Sequence, residues 1–164
     1  HEASLALASP NPPFDFFSHE GVIYTRMRNL PASRFHGVDL EQSLVADGCS
    51  IGRGSLIERC LIGVRSVIGN DCTIRDTVML GSDRFETPAQ RAENAKLGRP
   101  NLNIGDGTII EKAILDKECR LGRGVRLVNV EGKQDADGPG GMFHIRDGII
   151  CVPRGTTIPD GTVI

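Results

Sequence analysis

The sequence holds no apolar run near the roughly 20 residues that cross a bilayer, and no signal peptide opens it. Charge of either sign is not in surplus: 19 Lys and Arg stand against 21 Asp and Glu, giving a net charge of −2 and a pI of about 6.1. That balance offers no general electrostatic case for nucleic acid or for an anionic membrane surface. The five cysteines lack any CxxC pair, and their odd number points to free thiols in a reducing compartment. His1, His19, His36 and His144 show none of the spacings that zinc sites use, so no metal is expected. No glycine-rich loop joins a strand to a helix, which argues against a nucleotide loop. What remains is the expectation of a soluble, cytoplasmic chain of 164 residues, enough for one or two modest units.

What is present is periodic. An aliphatic residue recurs every sixth position, through Val45, Ile51 and Ile57, then after a five-residue step through Ile62, Ile68, Ile74 and Leu80. The pattern resumes at Ile104 and Ile110, steps by five again, runs through Leu115, Leu121 and Leu127, and closes with Val152, Ile158 and Ile164. Such hexads are the signature of a parallel β-helix, an all-β fold in which three of them close about one turn of a triangular prism. Gly52, Gly63, Gly69, Gly105 and Gly122 follow the aliphatic residue, where a corner with positive φ is expected. Ser55, Ser66, Thr108, Thr156 and Thr162 take the fifth position, where only a small side chain fits. Cys49, Cys72 and Cys119 share that slot and are expected to act as small apolar fillers, while Cys60 and Cys151 have no partner. Residues 51–69 superimpose on 104–122, with the five-residue step at the same place in both.

Taken in order, residues 1–34 divide into a helical tail and a stiff linker. The phrase HEASLALA begins at His1 rather than at Met and suggests the end of a helix from an upstream domain of a longer polypeptide. Ser9-Pro10-Asn11-Pro12-Pro13 then stiffens the chain. Phe14-Asp15-Phe16-Phe17 and the extended Val22-Ile23-Tyr24-Thr25 need something to pack on, either the first coil of the prism or another domain. Arg26, Arg28 and Arg34 form either a solvated face or one wall of an anion site. Residues 35–164 make the β-helix domain, with excursions at 81–103 and 129–151. The first carries a helix, capped by Thr87, opened by Pro88 and stopped at Gly98. The second, rich in glycine and acidic residues, is expected to be a mobile loop. Excursions from a regular solenoid are where function or subunit contact tends to sit.

Specific phrases add a resemblance. HEASLALA before the proline-rich linker, Tyr24-Thr25 with Leu30-Pro31, Met79-Leu80-Gly81-Ser82-Asp83 with Glu86-Thr87, Ala113-Ile114-Leu115-Asp116-Lys117 and the ending Val152-Pro153-Arg154-Gly155-Thr156-Thr157-Ile158-Pro159-Asp160-Gly161 together resemble the C-terminal domain of glucose-1-phosphate adenylyltransferases (ADP-glucose pyrophosphorylases). The resemblance implies a left-handed β-helix attached to a catalytic domain, which joins ATP and glucose 1-phosphate into ADP-glucose and pyrophosphate for glycogen or starch. It implies that the β-helix helps build a homotetramer and binds phosphorylated effectors, and that Mg²⁺ belongs to the catalytic domain, with no cofactor in this chain. Lys117 matches a family lysine that contacts effector anions. Arg154 stands where a second such lysine is usual; it keeps the charge and can grip phosphate bidentately, with altered reach. The alternative for both is a pair of solvated charges on the prism exterior. No catalytic residue is expected in this chain, which alone should not make ADP-glucose.

Two other classes remain open from the residues. A hexapeptide-repeat acyltransferase would use a histidine as general base between subunits, with His144 and His36 the candidates. A purely structural assembly module would bind no ligand at all.

Overall fold

The computed structural model describes residues 1–16 and 18–164, so Phe17 of the aromatic cluster lies outside the described residues. Short parallel strands stack into three ladders that form the faces of a prism. On the first face, Arg34–Phe35, Ser50–Ile51, Val67–Ile68, Asn103–Ile104, Arg120–Leu121 and Thr157–Ile158 follow one another. On the second, Leu40, Ile57, Ile74, Ile110 and Leu127 are in register, and on the third Val45, Ile62, Met79, Leu115 and Val152. One coil takes 17 residues, as the pairings of Ile51 with Ile68 and of Ile104 with Leu121 show. The five-residue step therefore recurs in every regular coil, always between the second and third faces.

The register expected from sequence fails at one place. Leu80 was to continue the hexads, yet it is 45% exposed and Met79 is the buried residue, paired with Ile62 and Leu115. The cause is the short corner: Asp76 adopts a positive φ of +46, Arg59 and Lys112 one of +51 at the same corner of other coils, and the chain reaches the third face one residue early. Two continuous strands, Thr73–Met79 and Ile109–Leu115, run through this bend.

The glycines after the aliphatic residues also have a different reason from the one expected. None of the five has positive φ; that conformation falls two positions later, at Gly54, Arg65, Asp71, Gly107 and Gly124. Gly105 is required because a Cβ there would lie 2.7 Å from the carbonyl group of Gly122 in the next coil. Stacked coils approach too closely at that corner for any side chain.

The core is one continuous column of buried Ile, Leu, Val and Cys. Ser55, Ser66 and Thr108 are buried in the small slot, whereas Thr156 and Thr162 are half-buried near the end of the stack. The cysteines in this slot do more than fill it. Ser55 Oγ donates to the Gly69 carbonyl at 3.0 Å and Thr108 Oγ1 to Gly122 at 3.1 Å, while Cys49 Sγ reaches Gly63 at 3.2 Å and Cys72 Sγ reaches Gly105 at 3.3 Å. At these four positions the small side chain donates to the next coil's corner, whereas Ser66 Oγ donates to the Gly63 carbonyl of its own coil at 2.8 Å. Cys60 occupies the equivalent place at the five-residue corner and reaches the Ile74 carbonyl at 3.4 Å. All five cysteines are free.

The N-terminal phrase forms α1 (Glu2–Leu5) and one 3-10 turn (Ala6–Ala8) against the strand Thr73–Met79. Residues 21–29 form no strand and are exposed, Tyr24 at 91%, so of the two expected packing partners the first coil of the prism is not the one this segment uses. Arg26, Arg28 and Arg34 are exposed as well. The first excursion carries α2 (Pro88–Lys96), with Thr87 and Gln90 completing a capping box and Gly98 at φ +60 beyond its end. The second excursion is not a plain loop: Ala136–Asp137, His144–Arg146 and Ile149–Val152 form an antiparallel ribbon that buries Ile145 and Ile150. Among the described residues no helix is long and apolar enough to cross a membrane.

Candidate anion-binding site

Lys117 and Arg154 are two residues past Leu115 and Val152, which pair on the third face. They thus occupy the same corner of consecutive coils, and the Gly155 N–H donates to the Lys117 carbonyl at 2.9 Å. Neighbouring coils lie about 4.8 Å apart, so the corner stacks two cations within reach of one small anion. The coil before them reaches this corner at Gly81, whose carbonyl accepts from Glu118 N at 3.2 Å. Gly81 has φ +79, and there the chain leaves the prism for its first excursion.

Leaving at that point lays Asp83 across the two cations. Lys117 Nζ contacts Asp83 Oδ1 at 2.8 Å and Arg154 Nη2 contacts Asp83 Oδ2 at 2.7 Å. One carboxylate thus bridges both sequence-identified residues. Lys117 foremost, with Arg154 beside it, holds the Asp83 carboxyl below its usual range. Glu118 fixes the same turn, accepting from Asp83 N at 2.8 Å and pairing with Arg84 at 3.3 Å. All three bridge members remain partly open to solvent, at 32% for the Lys117 side chain, 45% for Asp83 and 59% for Arg154.

The rest of the excursion is pinned by a buried pair. Glu86 Oε1 meets Arg120 Nη1 at 2.7 Å and the Asn94 amide at 2.8 Å, and Glu86 Oε2 accepts from Leu102 N at 2.9 Å. Burial pushes the Glu86 carboxyl up, but the Leu102 N–H, the Asn94 amide and Arg120 outweigh it, and the carboxyl lies below its ordinary range. Arg120 also donates to the Pro100 carbonyl at 2.9 Å, tying both ends of the excursion to one coil.

The resemblance singled out Lys117 and Arg154; Asp83, Glu118, Glu86 and Arg120 were not among the expected site residues. A signal for Asp83 exists: the hexads stop at Gly81, so the residues just beyond it must leave from the corner that Lys117 occupies one coil later. The acyltransferase candidates are not brought together. His36 lies exposed on the first coil, and His144 sits on the antiparallel ribbon with Nδ1 2.6 Å from Asp137 Oδ1. Among the described residues no three His, Cys, Asp or Glu side chains converge as a metal would need.

A stacked prism with a basic corner bridged by its own excursion defines a β-helix domain of the hexapeptide type. Residues 28–163, most of the chain, match the model of the GLGC left-handed parallel beta-helix domain, and the chain belongs to that family, the C-terminal domain of glucose-1-phosphate adenylyltransferase. The prism is accordingly left-handed, and the family is one of nucleotidyltransferases.

Proposed function

We propose that this chain is the regulatory and oligomerisation domain of a glucose-1-phosphate adenylyltransferase, and that Lys117 and Arg154 together take the phosphate of an anionic effector. The catalytic domain of such an enzyme joins ATP and glucose 1-phosphate and carries the Mg²⁺ chemistry, in the cytoplasm and in a homotetramer. The observation that carries the proposal is the shared carboxylate: two cations from consecutive coils converge on one pair of oxygens, the geometry in which a phosphate is gripped. Asp83 holds that place until an effector displaces it. Guanidinium and ammonium divide the work, the first as a planar fork and the second as a point charge.

The test is a titration of the chain with inorganic phosphate, followed by calorimetry, for the natural sequence and for the Lys117→Ala/Arg154→Ala pair. Binding that disappears in the pair, with the oligomeric state by light scattering unchanged, supports the effector site. Equal binding by both, or none by either, leaves the assembly role alone.

A further inference from the structure

We propose that the groove between the first excursion and the first face of the prism is a second anion site, separate from the Lys117–Arg154 corner, that takes an organic phosphate with hydroxyl groups on its body. The groove has a volume of about 540 Å³, far more than a lone phosphate needs and within the range of small-molecule sites. Arg65, Arg84, Arg91, Arg99 and Arg123 line it, drawn from the prism, the excursion's start, α2, its exit and the next coil.

The acidic residues in the groove offset these charges only in part. Glu86 is spent on Arg120, Asn94 and the Leu102 N–H. Asp106 and Asp160 keep their charge while accepting from Asn70 N at 2.8 Å and from Arg123 N at 2.9 Å, and Arg84 is paired with Glu118, so the lining still carries more guanidinium groups than carboxylates. Two guanidinium groups are already oriented. Arg65 lies 6.0 Å from the Phe85 ring centroid and donates to the Ser82 carbonyl at 3.3 Å, and Arg99 Nε donates to Asn94 Oδ1 at 2.8 Å. Two others are nearly unengaged. The Arg91 guanidinium makes no hydrogen bond or ion pair among the described residues, and Arg123 has only Asp106, at 3.9 Å.

Pre-oriented forks beside free ones supply donors for phosphate oxygens at small ordering cost. The half-exposed Phe85 and the side chain of Leu102 add an apolar wall, while Asn101 and the second oxygens of Asp106 and Asp160 can accept from hydroxyls. That combination fits a sugar phosphate better than an inorganic ion, and the Glu86 anchor keeps the walls in place before any ligand arrives.

The experiment titrates the chain with glucose 6-phosphate as probe and inorganic phosphate as reference, by calorimetry and by amide chemical shifts. Arg91→Ala/Arg123→Ala is expected to weaken glucose 6-phosphate binding at least tenfold while leaving phosphate binding at the corner unchanged. Lys117→Ala/Arg154→Ala is expected to leave the glucose 6-phosphate shifts of Asn101 and Leu102 intact. Both arginines are exposed, so the double variant should melt with the natural chain; if it does not, Arg91→Ala alone, on the open face of α2, carries the comparison. The proposal is overturned if glucose 6-phosphate does not bind in the millimolar range, if the arginine variants bind it undiminished, or if the corner variants alone abolish it. Failure of the corner site leaves these outcomes untouched.

Discussion

At the scale of single residues, the same physical demand, close stacking of coils, explains the glycines, the hydroxyls and the thiols. Gly105→Ala should cost about 1–3 kcal/mol, because the added Cβ meets backbone of the next coil, which cannot move as a side chain could. Chemical denaturation measures it; an unchanged midpoint would mean that the coils are spaced more widely at that corner. The thiols give a second test. Burial, with the Asp116 charge adding to it, pushes Cys119 up to about 12, and burial pushes Cys60 up to about 11. A raised thiol is protonated and unreactive at neutral pH. Cys49, Cys60, Cys72 and Cys119 should therefore resist a disulfide reagent in the native chain and react together on unfolding, whereas half-buried Cys151 is the one accessible thiol. Asp83 supplies a third. Asp83→Asn removes the charge that competes for Lys117 and Arg154, and phosphate should bind roughly three- to tenfold more tightly, as expected for releasing exposed ion pairs. Weaker binding in this variant would show that Asp83 positions the cations instead of occupying their site.

The element that decides the geometry of both proposed sites is the 81–103 excursion. Its helix was legible, since Thr87, Pro88 and Gly98 are local signals that need no tertiary partner. Its docking was not, because Glu86 and Arg120 are distant in sequence and nothing in the hexads marks either as buried. The Glu86 carboxyl lies below its ordinary value, so its contribution is complete above about pH 4.3, the usual glutamate range, and is lost as pH falls through the lower folded value. The Leu102 amide, which donates to Glu86, should hold its chemical shift from pH 8 down to about 5 and move only below about pH 4. A shift between pH 5 and 8 would assign the anchor to another group. The second excursion carried its own signal in Asp147-Gly148, a two-residue hairpin turn with φ of +52 and +73 between the paired Arg146 and Ile149. The surrounding glycines and acidic residues concealed it.

For the molecule as a whole, stability is a sum over stacked coils, each buried by its neighbours. Ile68 is 2% exposed and pairs with Ile51 and Ile104 on either side. Ile68→Asp places an unpaired charge in that column, and the expected outcome is an insoluble or unfolded chain, checked by soluble yield and thermal melting. A soluble variant with unchanged melting would move Ile68 out of the core. The first coil differs from the rest: Phe35 and Leu40 occupy inward positions and are still 44% and 43% exposed, because no coil lies outside them.

The sequence by itself determined the prism, most of its inward positions and the helix of the first excursion, because a repeat writes the same local instruction in every coil and a helix cap is local; Lys117 and Arg154 were singled out by the resemblance to the adenylyltransferase domain, not by the repeat. Only the tertiary structure decided that Met79 replaces Leu80, that the corner glycines answer to close approach instead of positive φ, that Asp83 bridges Lys117 and Arg154, and that five arginines share one groove. Those facts depend on which coil lies above which corner. That relation is set by the size of the excursions and the five-residue bends, and it is expressed in no local stretch of residues.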